Sequence, residues 1–154
     1  MSLKEYKSRR DFSKTEEPLG EVKPSNQKSG IYVIQKHKAS HLHYDLRLEM
    51  VSVLKSWAVP KEPPQEPNMK RLAVKTEDHP IEYADFEGVI PEGEYGAGKV
   101  EIWDRGTFEP IDVKENKIIF KIKGKKLKGD YCLIKLKSKT DQKNWLFFKK
   151  KTDS

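Results

Sequence analysis

From His41 to Met50 the chain alternates without a break. Leu42, Tyr44, Leu46, Leu48 and Met50 share one parity, and His41, His43, Asp45, Arg47 and Glu49 share the other. Successive side chains of a β-strand leave on opposite faces, so this run predicts a strand that buries one face and presents ionisable groups on the other. The second face is costly as an ordinary solvent face, where Lys, Glu or Thr would serve. His-x-His-x-Asp-x-Arg instead aligns two imidazoles, a carboxylate and a planar guanidinium. Three of the four histidines, His37, His41 and His43, fall within seven residues. The chemistry is expected on this strand.

Further strands are predicted at residues 31–36, 53–59 (ended by Pro60), 71–75, 99–104, near 107–109, and at 117–123, 130–137 and 144–150. A proline-rich loop runs through Pro63, Pro64 and Pro67, and a glycine loop spans 88–98. Little helical periodicity is present. Short strands at this spacing, with Gly/Pro turns, indicate an all-β sandwich or barrel. A small closed barrel of about eight strands is preferred, because closure abolishes exposed edges. At 154 residues the chain is about one domain. Residues 1–28 are polar, with Pro18 and Pro24, and read as an arm ordered by docking or by ligand. Residues 29–154 read as the barrel. The Lys-rich stretch 121–128 reads as a solvated hairpin.

A net charge of +7 suits an anionic partner, most often nucleic acid. The single cysteine, Cys132, excludes an internal disulfide and a multi-cysteine zinc site, and its apolar neighbours place it in the core. No apolar run approaches the ~18–20 residues of a membrane span, and the N-terminus lacks a signal-peptide core. A cytoplasmic protein without membrane contact is expected.

His43 and Asp45, two residues apart on one strand, point the same way about 7 Å apart at Cα. A turn that folds His37 back would bring it to the same ion. Two imidazoles and a carboxylate with open positions suit Mn²⁺, Fe²⁺ or Zn²⁺. Arg47, next on that face, carries a fork matched to phosphate or carboxylate. His41 is left outside the set, near the turn. His79 stands alone in the loop Thr76-Glu77-Asp78-His79-Pro80. The segment Gly93-Glu94-Tyr95-Gly96-Ala97-Gly98-Lys99-Val100 approaches a P-loop, but Val100 replaces the Mg²⁺-binding Ser/Thr and a strand-like run follows, so it reads as a glycine turn. Glu82, Asp85, Glu87, Glu92 and Glu94 scatter through loops and read as surface. Two other readings stay open on the residues alone. One is an iron oxygenase with His43, Asp45 and His79 as facial triad. The other is a non-catalytic basic barrel that binds nucleic acid, with Trp57, Tyr83 and Trp103 stacking on bases.

Longer motifs carry a resemblance. They run from Leu3-Lys4-Glu5-Tyr6 and Arg10-Asp11-Phe12 to Gln35-Lys36-His37-x-Ala39-x-x-Leu42-His43-Tyr44-Asp45-Leu46-Arg47-Leu48-Glu49. They continue through Leu54-Lys55-Ser56-Trp57-Ala58-Val59-Pro60-Lys61, Thr76-Glu77-Asp78-His79-Pro80-x-x-Tyr83 and Phe86-Glu87-Gly88-x-Ile90-Pro91-x-Gly93-x-Tyr95-Gly96. This pattern, over nearly the whole chain, resembles the 3′-phosphoesterase module of bacterial DNA ligase D, also found free-standing in archaea. Val51-Ser52 departs from it where the family has a polar-glycine turn.

The resemblance implies a barrel with a crescent-shaped groove. It implies a metal-dependent enzyme (Mn²⁺ first, Zn²⁺ or Co²⁺ as alternatives) that removes 3′-ribonucleotides and then 3′-phosphate from DNA primer–templates in end joining, leaving a ligatable 3′-OH. It assigns His37, His43 and Asp45 as metal ligands, Arg47 and His79 as phosphate contacts, and Tyr83 as an active-site hydroxyl. Arg10, Asp11 and Glu17 match active-site positions in the arm, which would then fold over the site. Lys61, Arg71 and Glu77 match supporting positions. A chain of this length has no room for ligase and polymerase modules, so a separate DNA ligase and a primase-type polymerase are the expected partners of a monomer.

Overall fold

The computed structural model describes residues 3–18, 28–137 and 142–151. Positions 1–2 and 19–27 of the expected arm lie outside the described residues. Nine strands follow in chain order: β1 Gly30–Lys38, β2 Leu42–Met50, β3 Val53–Val59, β4 Lys70–Lys75, β5 Gly88–Ile90, β6 Gly98–Lys114, β7 Lys117–Lys123, β8 Lys128–Lys135 and β9 Asn144–Lys149. One short helix, α1 (Lys4–Ser8), precedes them, and a 3₁₀ turn spans Ile81–Asp85. The strands pair antiparallel in the order β1-β2-β3-β4-β9-β8-β7-β6, and β6 returns to β1. This closes a barrel of eight strands, with β5 added on the edge of β6. Closure gives every barrel strand a paired neighbour on both sides, the β3–β4 pairing being confined to two residue pairs. No helix among the described residues is long and apolar enough to cross a membrane.

The predicted strands 99–104 and 107–109 are one strand. β6 runs 17 residues and serves two barrel partners besides β5, pairing with β1 through its first half and β7 through its second. Register shifts at Ile34/Gln35 and Pro110/Asp112 let it bend between them. β5 falls within the predicted glycine loop, since three residues are too short for a periodic signal.

Two apolar clusters organise the molecule. Inside the barrel, Tyr32, Ile34, Tyr44, Leu46, Leu48, Trp57, Phe108, Phe120, Tyr131 and Phe147 pack together. The apolar parity of β2 supplies three of these, as expected. Leu42, at the barrel rim, is exposed, against expectation. Outside the barrel, Val33, Leu54 and Val100 meet Tyr6 of α1, Tyr83, Ala84 and Phe86 of the 3₁₀ segment, and Ile90 of β5. Tyr6 is fully buried there and its hydroxyl donates to the Pro18 carbonyl. Residues 3–18 are thus docked on the outer face of the β1–β2–β3 sheet.

Met50 pairs with Val53 across a two-residue turn in which Val51 (φ 53°) and Ser52 (φ 67°) are both left-handed. The hairpin keeps its tight geometry without the Asn or Gly that such turns favour. Cys132 is buried, and 121–128 does form the β7–β8 hairpin. Its turn is held by Asp104, whose carboxylate accepts from the backbone N–H groups of Lys125, Lys126 and Leu127 and from the Tyr32 hydroxyl.

Candidate active site

The register of β2 carries its ionisable parity onto both neighbours. His43 lies opposite His37, Asp45 opposite Gln35 and Ala58, and Arg47 opposite Val33 and Ser56. His37 is therefore inside β1 rather than just beyond a strand ending at 36. Cross-strand pairing brings it to His43, with no need of a turn at that residue. The donor atoms of His37, His43 and Asp45 all lie within 4.8 Å of one another. His37 Nδ1 is 3.6 Å and His43 Nε2 3.3 Å from Asp45 Oδ2.

The outward nitrogens of the two rings face backbone acceptors. His37 Nε2 lies 2.7 Å from the Gly96 carbonyl and His43 Nδ1 3.1 Å from the His41 carbonyl. A carbonyl only accepts, so each ring holds a proton on its outward nitrogen. When the rings are neutral, two nitrogen lone pairs and a carboxylate face one another, an arrangement that a cation satisfies. The donor set fits a divalent metal with open positions. Without one, a proton can serve. Burial opposes a charge on His43, but its contact with the Asp45 carboxylate outweighs this and raises its pKa. For Asp45, burial favours the neutral acid, yet Arg47 and the two histidines hold the carboxyl well below the usual carboxylate range.

Arg47 is held by Gln35, Ser56 and Asp45, and its Nη1 also lies 3.1 Å from His79 Nδ1. Nε donates to Gln35 Oε1 at 2.6 Å, Nη1 to Ser56 Oγ at 2.9 Å, and Nη2 lies 3.5 Å from Asp45. Gln35 is itself fixed by donating to the Tyr83 and Phe86 carbonyls. The guanidinium lies 4.8 Å from the centre of the Tyr83 ring. His79 is pinned by reciprocal backbone hydrogen bonds with Leu54 on β3. Its Nδ1 is 3.0 Å from the Glu77 carbonyl and its Nε2 3.4 Å from Arg10 Nη2. Burial, then the charges of Arg47 and Arg10, push its pKa well below the ordinary value, so the ring is neutral.

The arm completes the wall. Arg10 donates from Nε to Glu17 at 2.9 Å and from Nη1 to Glu77 at 3.1 Å. Glu17 also accepts from the Tyr83 hydroxyl at 2.8 Å. The result is a cleft of about 260 Å³ that holds His37, His43, Asp45, Arg47, His79 and Tyr83. Arg10 and Glu77 line it as well.

A comparison with known families bears on this geometry. The DNA Ligase D 3'-phosphoesterase domain matches residues 35–135, well over half of the chain. The chain belongs to the DNA ligase D 3′-phosphoesterase domain family. Its curated relatives include the multifunctional non-homologous end joining protein LigD of Pseudomonas aeruginosa, 49% identical over 97% of this chain and 18% of the relative. The LigD proteins of Mycolicibacterium smegmatis and Mycobacterium tuberculosis are 47% and 45% identical over 94% of the chain. The chain spans about a fifth of the length of these relatives.

Not every anticipated residue of this phosphoesterase domain reaches the cleft. Asp11 is exposed and accepts from Ser13, Lys61 is exposed, and Arg71 donates to the Glu62 carbonyl; none lines the cavity. His79 does not join the metal-ligating cluster, which disfavours the oxygenase triad. Trp57 and Tyr83 are buried in the two apolar clusters, so neither is free to stack on a base. The glycine turn leads into β6, not a helix. Reading the sequence missed Gln35, Ser56 and Tyr95. Gln35 shares the parity of His37, two residues away, and a neutral polar residue directly after the apolar run 31–34 was the available signal. Ser56 offered the same signal within Val-Leu-Lys-Ser-Trp. Tyr95, on the glycine turn, offered no periodicity at all.

Proposed function

We propose that the chain is a divalent-metal-dependent DNA 3′-end-healing hydrolase. It removes a 3′-terminal ribonucleoside by phosphodiester cleavage, then the remaining 3′-phosphate, to leave a 3′-OH on a primer–template. The observation that carries this reading is the convergence of His37, His43 and Asp45 beside Arg47 in one cleft of a LigD-family chain. The arm and the barrel act as one catalytic unit and as a monomer in the cytoplasm. A DNA ligase and a primase-type polymerase, acting in trans, are the partners this product and substrate call for.

On this reading His37, His43 and Asp45 hold Mn²⁺, with Zn²⁺ or Co²⁺ as substitutes. A divalent ion supplies Lewis acidity toward a phosphoryl oxygen and toward water. Arg47 is pre-oriented by Gln35 and Ser56, so its guanidinium neutralises developing charge on the phosphoryl oxygens with no reorganisation. His79 is neutral before substrate arrives. Phosphate charge offsets Arg10 and Arg47, the condition under which His79 takes up a proton and passes it to the leaving ribose oxygen. Burial raises the pKa of Tyr83, so its hydroxyl stays protonated and remains a hydrogen-bond donor at the site. Glu17 and Glu77 hold Arg10 in place.

The test incubates metal-stripped protein, with and without Mn²⁺, on primer–templates ending in a 3′-ribonucleotide or a 3′-phosphate. Mn²⁺-dependent tail shortening and phosphate release, both lost in a folded Asp45→Ala variant, are expected. DNA binding without turnover across several divalent metals would overturn the enzyme reading in favour of a binding barrel.

A further inference from the structure

The cleft sorts its residues by depth. Asp45, Arg47 and His79 lie buried at its base. Two tyrosines line it. Tyr83 is 2% exposed and its hydroxyl is committed to Glu17, whereas Tyr95 is 47% exposed and belongs to neither apolar cluster. Tyr95 thus offers the accessible aromatic surface at the mouth of a charged cavity.

Its position is coupled to the reacting centre. Tyr95 precedes Gly96, whose carbonyl accepts from His37 at 2.7 Å. Gly96 has φ +78° and Gly93 φ +88°, so the turn that projects Tyr95 is built on left-handed backbone that glycine tolerates. A Cβ on Gly96 would sit 3.6 Å from the His37 ring, so the turn packs directly on that imidazole. The ring is also held from the arm. Arg9 donates to the Tyr95 hydroxyl at 3.0 Å, and the Arg9 and Arg10 guanidinium groups lie over the ring, their carbons 5.1 and 5.4 Å from its centre. Arg9 reaches Glu77 as well, at 3.6 Å. Arg9 of the arm therefore spans from Tyr95 to Glu77, two residues that line the cleft.

We propose that Tyr95 is the platform on which the 3′-terminal nucleoside, the leaving group of the diesterase step, stacks. This rests on the phosphoesterase reading above and adds a subsite to it. An aromatic face beside cations suits a nucleobase of any identity, because every base has a π-face. Stacking sets the terminal ribose oxygen over the phosphoryl group held by Arg47. The monoester substrate has no nucleoside at that place, so the subsite serves one of the two reactions.

The test measures both reactions with Mn²⁺ for the wild type, Tyr95→Ala and Tyr95→Phe. Tyr95→Ala is expected to lower kcat/KM for removal of a 3′-ribonucleoside about tenfold or more, chiefly through KM. The ratio of that reaction to 3′-phosphate release falls by the same factor. Tyr95→Phe keeps the ring and is expected to keep the ratio. A second readout needs no turnover: a fluorescent 2-aminopurine ribonucleoside at the primer terminus should be quenched on binding metal-stripped wild type, but not Tyr95→Ala. Equal loss of both reactions in Tyr95→Ala would overturn the assignment in favour of a role in holding His37. An unchanged ratio with unchanged quenching would overturn it outright. A wild type inactive on both substrates overturns the phosphoesterase reading and the subsite with it, whereas an active wild type with an unaltered Tyr95→Ala ratio overturns the subsite alone.

Discussion

Arg47→Lys keeps the positive charge of the cleft and removes its geometry. In the wild type the fork makes a 2.6 Å hydrogen bond to Gln35 and a 2.9 Å bond to Ser56, both buried. Lysine's three donors radiate from a single nitrogen, which cannot stand at both the Nε and the Nη1 positions that these bonds use. A buried hydrogen bond to a charged group contributes about 1.5–3 kcal/mol. The vacated Gln35 Oε1 adds a desolvation cost, so the substitution should destabilise the domain by about 3 kcal/mol. For a domain of this size that is a fall in Tm of about 6–12 °C, measurable by calorimetry. Activity should suffer more than stability. Loss of one pre-aimed donor to a developing phosphoryl charge costs about 10²–10³ in kcat. The assay is phosphate release from a 3′-phosphate primer–template, run well below the variant's Tm, alongside Mn²⁺ titration to establish that His37, His43 and Asp45 still bind. A kcat within threefold of wild type would refute the argument, because charge alone would then suffice and the Gln35–Ser56 tether would be irrelevant to catalysis.

Metal binding should weaken as pH falls, because His43 must shed its proton to ligate and its pKa is raised by Asp45; Mn²⁺ titration calorimetry across pH 6–8 should show affinity rising with pH and proton release on binding. Asp45 has a depressed folded pKa, so its charge stabilises the fold above the unfolded value near ~3.9 and that contribution is lost as pH falls below it. Asp45→Asn should therefore narrow the difference in Tm between pH 7 and pH 3, and an unchanged difference would show that other carboxylates govern acid unfolding. Val51 is 62% exposed and Ser52 is buried, and both are left-handed. Replacing the pair by Asn-Gly should relieve about 1–2 kcal/mol of backbone cost and raise Tm by about 2–8 °C, and a lower Tm would mean that the turn is not strained. His79 should remain neutral in the free protein well below pH 6.5, a state its ring ¹⁵N shifts report directly.

The His43–Asp45 pair on β2 was legible because its signal is local. Alternation over ten residues defines a strand, its two faces and the placing of His43, Asp45 and Arg47 on one of them. Barrel closure followed from many short strands with no helical partner, and the extended motifs identified the family. His37 was legible as a residue but not as a position: a strand predicted to end at 36 left it outside the sheet, and its pairing with His43 is a matter of register between two strands. The bent β6, read as two strands, depended likewise on having a different partner at each end.

What the sequence by itself determined, then, is which side chains share a face of one strand, because period-two geometry is a property of the backbone. Only the tertiary structure decided that this face is covered. The arm and the segment carrying His79 and Tyr83 close over it, and that closure turns a solvent-facing row of charges into a cleft. Burial is what depresses the pKa of His79, locks Arg47 between Gln35 and Ser56, and leaves Tyr95 at the mouth. These effects arise between groups 9 to 86 residues apart in the chain. Long-range packing sets them, and no local periodicity encodes them.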